Sequence, residues 1–442
     1  MGHPFLNDGV DFGDVILSLV MVVASFTICL VATMLMVWFE RKVVSRLQNR
    51  IGPNVAGPFG LLQTLADGIK LFFKEDVIPT RADRFVFQLA PYLSLIPAFL
   101  TFTLVPLAGD FSDGNNGSST IFGREFLWQV ADVPVGILFF LAMSSLGIYG
   151  ILLAGWSSGS KYPLLGSVRA SAQAISYEAA LGLSLAAVIL VSGSLSTSGI
   201  VGFQADGIFS WNVVVTGFVP FIVFVIAGTA ELNRPPFDLV EAEQELVGGF
   251  HTEYSSIRFA LFFLAEFMNT VTMGAIIVTL FFGGPAQIFD FPFIDFPNAW
   301  YIGLILFFIK LLFFLFMFVW FRATLPRIRY DQLMDLGWKV LIPLSLAWVL
   351  VLAGIRVARD GNIVGDGSAV TLTDYAGDLA VVMIAAFVIF VLGFALLRKA
   401  VINARHDRLE AAGLTEVAVT ADLAPQPGAT GAASSSTTAG GH

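Results

Sequence analysis

Nine apolar segments, each roughly long enough to cross a bilayer core of about 30 Å, set what this chain can fold into. They run Val15–Phe39, Phe85–Leu107, Val133–Trp156, Ala170–Val191, Val213–Ala230, Phe259–Phe282, Trp300–Phe321, Val340–Ile355 and Leu379–Leu397, the eighth being the shortest. Hydrocarbon offers the backbone no water, so segments of this length must satisfy their own hydrogen bonds as helices. The expected fold class is all-α: a polytopic membrane helix bundle of about nine transmembrane helices. Composition agrees, since 56% of the 442 residues are hydrophobic and 13% are charged, and mean hydropathy is +0.81. The first residues lack a basic leader and the first apolar run is long enough to span, so no cleavable signal peptide is expected. The formal charge of -9 leaves no basic domain for nucleic acid. Cys29 is the only cysteine, and His3, His251, His406 and His442 are scattered, so metal or redox chemistry must belong to another chain.

Basic residues choose the orientation. The connections Glu40–Arg84, Ser157–Arg169, Glu231–Arg258 and Arg322–Lys339, with everything from Arg398 on, hold 20 of the 24 Lys and Arg. The alternate connections hold only Arg124, Arg356 and Arg359, and Lys310 falls inside a span. Positive loops stay cytoplasmic, which predicts an outside N-terminus and a cytoplasmic C-terminus. Residues 1–14 then form a short outside N-terminus, 15–356 an eight-helix core, 357–400 an outside loop with the ninth helix, and 401–442 a cytoplasmic tail. From Ala411 the tail is low in complexity and is expected to be disordered.

The first basic loop, ERKVVSRLQNRIGPN, carries Arg41, Lys42, Arg46 and Arg50 before the Gly52-Pro53 break. In GPFGLLQTLADGIKLFFKED, Leu61, Leu62, Leu65, Ile69, Phe72 and Phe73 make one helical stripe, while Gln63, Asp67, Lys70 and Lys74 make another. That pattern predicts an amphipathic helix at the cytoplasmic surface, too short and too polar to span.

Acidity is concentrated in Thr229–Arg258, where Glu231, Asp238, Glu241, Glu243, Glu245 and Glu253 follow an apolar run. Pro235-Pro236 cannot continue a helix but can begin one, with Asn233 as its cap and Asp238, Glu241 and Glu245 on one face. Within the spans lie Glu178, Glu266 and Lys310, on the order of 10–17 Å from the cytoplasmic ends at ~1.5 Å per residue. Charge at that depth costs at least ~2.5–3.5 kcal/mol, which makes these residues functional candidates; a structural Glu–Lys pair is the alternative.

ERKVVSRLQNRIGPN, ADGIKLFFKED, AQAISYE, AELNRPPFDLVEAEQELVGGFHTEYS and FRATLPRIRYDQLMDLGWKVLIPLSL together resemble the quinone-chamber membrane subunit of respiratory complex I, homologous to the first of the mitochondrially encoded subunits. The resemblance covers roughly residues 12–356, and the long acidic motif is its most specific part. It implies a subunit of a proton-translocating NADH-quinone oxidoreductase in the bacterial cytoplasmic membrane, with quinone as substrate and no redox group of its own. Iron–sulfur clusters, FMN and NADH would sit in partner subunits: peripheral iron–sulfur and quinone-site subunits at the cytoplasmic loops, and small and antiporter-like subunits within the bilayer. Arg41, Arg46, Asp67, Lys70 and Arg234 would face the quinone tunnel or its entrance. Glu178, Glu231, Asp238, Glu241, Glu243 and Glu245 would form the acidic proton path, to which depth adds Glu266 and Lys310. The family pattern ends after the eighth span, so the resemblance says nothing of residues 357–442.

The rival readings are the cognate subunit of a membrane-bound hydrogenase and a free-standing transporter using Glu178, Glu266 and Lys310. Transporters often carry inverted repeats. No halves of this sequence match each other, and its densest charge lies at one surface, where a partner would dock.

Overall fold

In a computed structural model, the structure describes residues 12–109, 111, 117–121, 124–205, 207–238, 247–286 and 300–360. The ninth apolar segment, the tail, and Glu241, Glu243 and Glu245 lie outside the described residues. Most of the described residues are helical, as the apolar runs predict. The long helices are α1 (Phe12–Leu47), α3 (Arg84–Phe102), α4 (Gly136–Ser157), α5 (Lys161–Ser192), α9 (Ser256–Phe281) and α10 (Trp300–Thr324). The eighth run extends further than expected, from α11 (Tyr330–Leu336) through one π turn at Gly337–Leu341 into α12 (Ile342–Asp360). Seven helices among the described residues are long and apolar enough to cross a membrane. Shorter pieces are α2 (Gln63–Phe73), α6 (Thr197–Phe203), α7 (Asn212–Val215) and α8 (Val219–Glu231). One antiparallel hairpin, β1 (Ser118–Ile121) with β2 (Arg124–Leu127), occupies a loop in which the sequence shows no motif.

The fifth run departs from expectation. Its apolar residues are continuous, but the chain breaks at Gly217 (φ 83°) and Phe218 (φ 62°). Pro220 then opens α8, where the missing N–H costs nothing. With 13 residues, α8 covers only about 20 Å at ~1.5 Å per residue, short of a full crossing.

Helix α3 packs along α4, α4 along α5, α5 along α8 and α12, and α9 along α3, α1 and α10. From Thr270 to Phe281 every residue of α9 is buried, the mark of a helix apolar on all sides. Contacts between helix ends bring the basic loops together. Asp83 N–H donates to Ser157 O at 3.0 Å, Ile328 N–H to Pro236 O at 3.1 Å, and Arg258 pairs with Asp76 at 3.0 Å. Tyr254 stacks on Phe87 with centroids 4.0 Å apart and donates to its carbonyl at 3.1 Å.

At the same end lies α2, the amphipathic helix that the two stripes predict. None of its residues is buried. Leu65, Ile69, Phe72 and Phe73 are exposed, so the apolar stripe is available to bilayer or partner. Its C-terminal carbonyls are tied down by Ser256, whose hydroxyl donates to Leu71 O and Lys74 O at 2.9 and 2.7 Å.

Candidate functional site

Among the described residues no helix begins at the double proline. Residues 232–238 form a turn in which Asn233 is left-handed and the Pro235-Pro236 bond is cis. The sequence places Asp238 on the face of a new helix; Asp238 and Arg234 are instead buried, Arg234 paired with Glu40 of α1 and Asp238 with Arg327 in the loop after α10. A turn stretched across helix ends satisfies those partners, whereas a regular helix would leave a charge buried and unpaired. Gln173, fully buried on α5, holds the turn by donating Nε2 to Ala230 O at 2.8 Å and Phe237 O at 3.0 Å.

Arg234 is the centre of the site. Its Nη1 lies 2.5 Å from Glu40 Oε2, and its Nη2 lies 3.4 Å from Glu266 Oε1. The guanidinium also rests over the Phe267 ring, 4.4 Å from its centroid. The second oxygen of Glu40 takes the Arg322 guanidinium at the end of α10. Arg322 is 43% exposed, Glu40 7%, Arg234 1% and Glu266 27% by side chain, so the chain of charges runs from a half-exposed cation through two buried groups to a partly exposed carboxylate. Asp238 is drawn to Arg327 at 3.0 Å. Glu40, Arg322 and Arg327 are site residues that sequence reasoning missed, because loop cations look like headgroup anchors.

Glu266 lines a cavity of about 110 Å³ whose other walls include Glu231, Ser94, Thr272, Asn269 and His251. Glu231, at the end of α8, accepts a hydrogen bond from Ser144, and Glu178 on α5 accepts one from Ser145. Neighbouring hydroxyls on α4 thus hold the two carboxylates. No Arg234–Glu231 ion pair occurs among the described residues; Arg234 turns to Glu40 and Glu266. Three buried atoms around the cavity, Glu231 Oε2, Ser94 Oγ and Thr272 Oγ1, have no hydrogen-bond partner among the described residues.

Lys310 stands apart from this group. Its Nζ donates to Phe282 O at 2.9 Å and Gly284 O at 2.8 Å, at the far end of α9, and sits 5.3 Å from the Trp211 ring centroid. No Glu–Lys pair joins it to Glu266.

On the basic-loop end, Arg41 of α1 reaches Asp67 of α2 at 2.6 Å, with Lys70 at 3.7 Å and Gln63 Nε2 at 3.2 Å. Partial burial works against the Asp67 carboxylate. The Arg41 hydrogen bond and charge, with Gln63 and Lys70, outweigh it and hold the pKa below the ordinary value. Arg46 is exposed in the last turn of α1.

Residues 19–353 match the family model described as NADH dehydrogenase. The H subunit of NADH-quinone oxidoreductase from Frankia casuarinae is 53% identical over 344 residues, 77% of this chain and 73% of that protein. Its counterpart in Frankia alni is 53% identical over 362 residues, 81% of this chain and 77% of the relative. That of Streptomyces avermitilis is 48% identical over 349 residues, 78% and 74%.

Proposed function

The chain belongs to the NADH dehydrogenase family of NADH-quinone oxidoreductase H subunits, and from that premise we propose that it walls a quinone tunnel and starts the proton path coupled to quinone reduction. It acts as one subunit of the enzyme and has no catalysis of its own. The observation that carries the proposal is the unbroken series Arg322–Glu40–Arg234–Glu266, ending in a cavity shared with Glu231. Reduction of a quinone to a quinol takes up two electrons and two protons. A change of charge beside Arg322 alters the balance of the neighbouring pair, and each pair in that series shares a member with the next. In a low-dielectric interior such shifts are weakly screened.

In this account Arg41, Arg46, Asp67 and Lys70 lie along the tunnel or its mouth, between α1 and the amphipathic α2. Arg234 joins the tunnel to the path, and Glu266, Glu231 and Glu178 carry it across the bundle, with Asp238, Glu241, Glu243 and Glu245 supplying the acidic loop. The basic-loop end faces the cytoplasm and receives the peripheral subunits, which hold the iron–sulfur clusters, FMN and the NADH site. Small and antiporter-like subunits pack on the flanks in a bacterial cytoplasmic membrane.

Glu231→Gln tests the proposal in the assembled complex. Gln keeps the size and the hydrogen bond from Ser144 but cannot ionise. Quinone-linked proton translocation should fall several-fold, while NADH oxidation by a soluble acceptor persists. Normal translocation at normal quinone reductase rates would remove Glu231 from the path.

A further inference from the structure

One more titratable side chain faces the cavity that holds Glu231 and Glu266: His251, which the path above does not use. No other His, Asp, Glu, Lys or Arg lines that cavity among the described residues. His251 closes the single turn Gly249–His251, seated hard against α5. A Cβ on Gly166 of α5 would come within 2.8 Å of Gly249 Cα, and Gly249 itself has φ 61°, so the turn has little room to shift. The rings of Phe250 and Phe259 stand edge-on to the imidazole at 5.0 and 5.5 Å. The ring is half-buried and lines the cavity wall, and the next residue, Thr252, is exposed at the loop surface.

Resting on the proton path above, we propose that His251 is the relay through which protons pass between the loop surface and the cavity carboxylates. Burial lowers its pKa to about 4, so the ring is neutral near pH 7, one nitrogen carrying a proton and the other open to accept one. A proton arriving from the loop side binds the open nitrogen. The proton on the other nitrogen leaves for a carboxylate of the cavity, which becomes a carboxylic acid. The imidazole is neutral before and after, in the opposite tautomer, and a ring flip resets it. A cavity of about 110 Å³ has room for water between ring and carboxylate, and unpartnered Ser94 Oγ and Thr272 Oγ1 would hold such water.

The test uses the assembled complex in membrane vesicles. Asn keeps the polarity of His251 but cannot titrate, so His251→Asn should slow quinone-linked NADH oxidation and proton translocation several-fold, with the soluble-acceptor rate unchanged. His251→Gly should recover with added imidazole and not with pyrazole, a ring of similar size but far weaker basicity. Wild-type rates in His251→Asn would overturn the relay, as would rescue by pyrazole equal to that by imidazole, which would mean the ring only fills space. If His251→Gly does not assemble, His251→Asn decides alone. Glu231→Gln run in parallel separates the two claims: if it fails while His251→Asn is normal, only the relay falls; if it is normal, the path itself falls.

Discussion

Arg234 and Glu40, 194 positions apart, meet at 2.5 Å with side chains 1% and 7% exposed. This pair ties α1 to the turn that follows α8, and through Arg322 and Glu266 it extends to α10 and α9. Two charges this far from water are tolerated only because each has partners, and removing one takes from the other a buried partner of opposite charge.

Glu40→Gln and Arg234→Gln should therefore each destabilise by about 3–5 kcal/mol, the usual cost of breaking a buried pair from one side. The double variant should cost clearly less than the sum, because neither charge is then left alone. Thermal melting of the purified complex, with subunit content checked, measures this. Additive losses would mean that the two side chains do not interact in the folded enzyme.

Asp67→Asn makes a contrasting case. Its partner Arg41 is 42% exposed, so the pair contributes only ~0–1 kcal/mol to stability. Assembly and melting temperature should stay near wild type. Quinone reductase activity should fall several-fold, with NADH oxidation by a soluble acceptor intact, because the pair sets the spacing of α1 and α2 where quinone is proposed to pass. Full quinone activity would place the tunnel elsewhere.

The helices and the amphipathic α2 are legible in the sequence because hydrophobic periodicity is local information. So is the position of Glu178, Glu266 and Lys310 within long apolar helices, which needs only counting along the chain. Partnership is not legible. Glu40 reads as part of a basic anchor, and nothing local says that its two oxygens go to Arg234 and to Arg322, 282 positions away. Ser144 and Ser145 look neutral in an apolar run until two carboxylates from other helices arrive. The break at Gly217–Phe218 is hidden because its residues are as apolar as those of a continuous span. The turn at 232–238 reads as a helix start because proline and asparagine suit both, and tertiary ion pairs decide between them.

A pH dependence follows from His251. Its folded pKa of about 4 lies below the ordinary value of 6.5, so the folded state binds fewer protons than the unfolded one. Its neutral burial is fully favourable above pH 6.5 and is lost as pH falls from there toward 4, by at most about 1.4 kcal/mol per pH unit. Wild-type complex should lose melting temperature as pH falls from about 6.5 toward 4, and His251→Asn should lose less over the same interval. Parallel curves would show that the ring is no harder to protonate in the folded protein than outside it.

Lys310 gives the last prediction. The final carbonyls of a helix lack intrahelical partners and carry the negative end of its dipole, which a cation nearby stabilises. Lys310 Nζ donates to Phe282 O and Gly284 O at the end of α9, and the Trp211 ring lies beneath the charge. The apolar stem fits a helix facing hydrocarbon while the ammonium stays on polar atoms. Lys310→Met keeps most of the stem and removes the donors, leaving two carbonyls without this partner at about 1–3 kcal/mol for each that stays buried and unsatisfied. The variant complex should melt at a lower temperature, yet at temperatures where it is folded it should translocate as many protons per NADH as wild type. The opposite pattern, unchanged melting with lost translocation, would move Lys310 from the helix end into the proton path with Glu266 and Glu231.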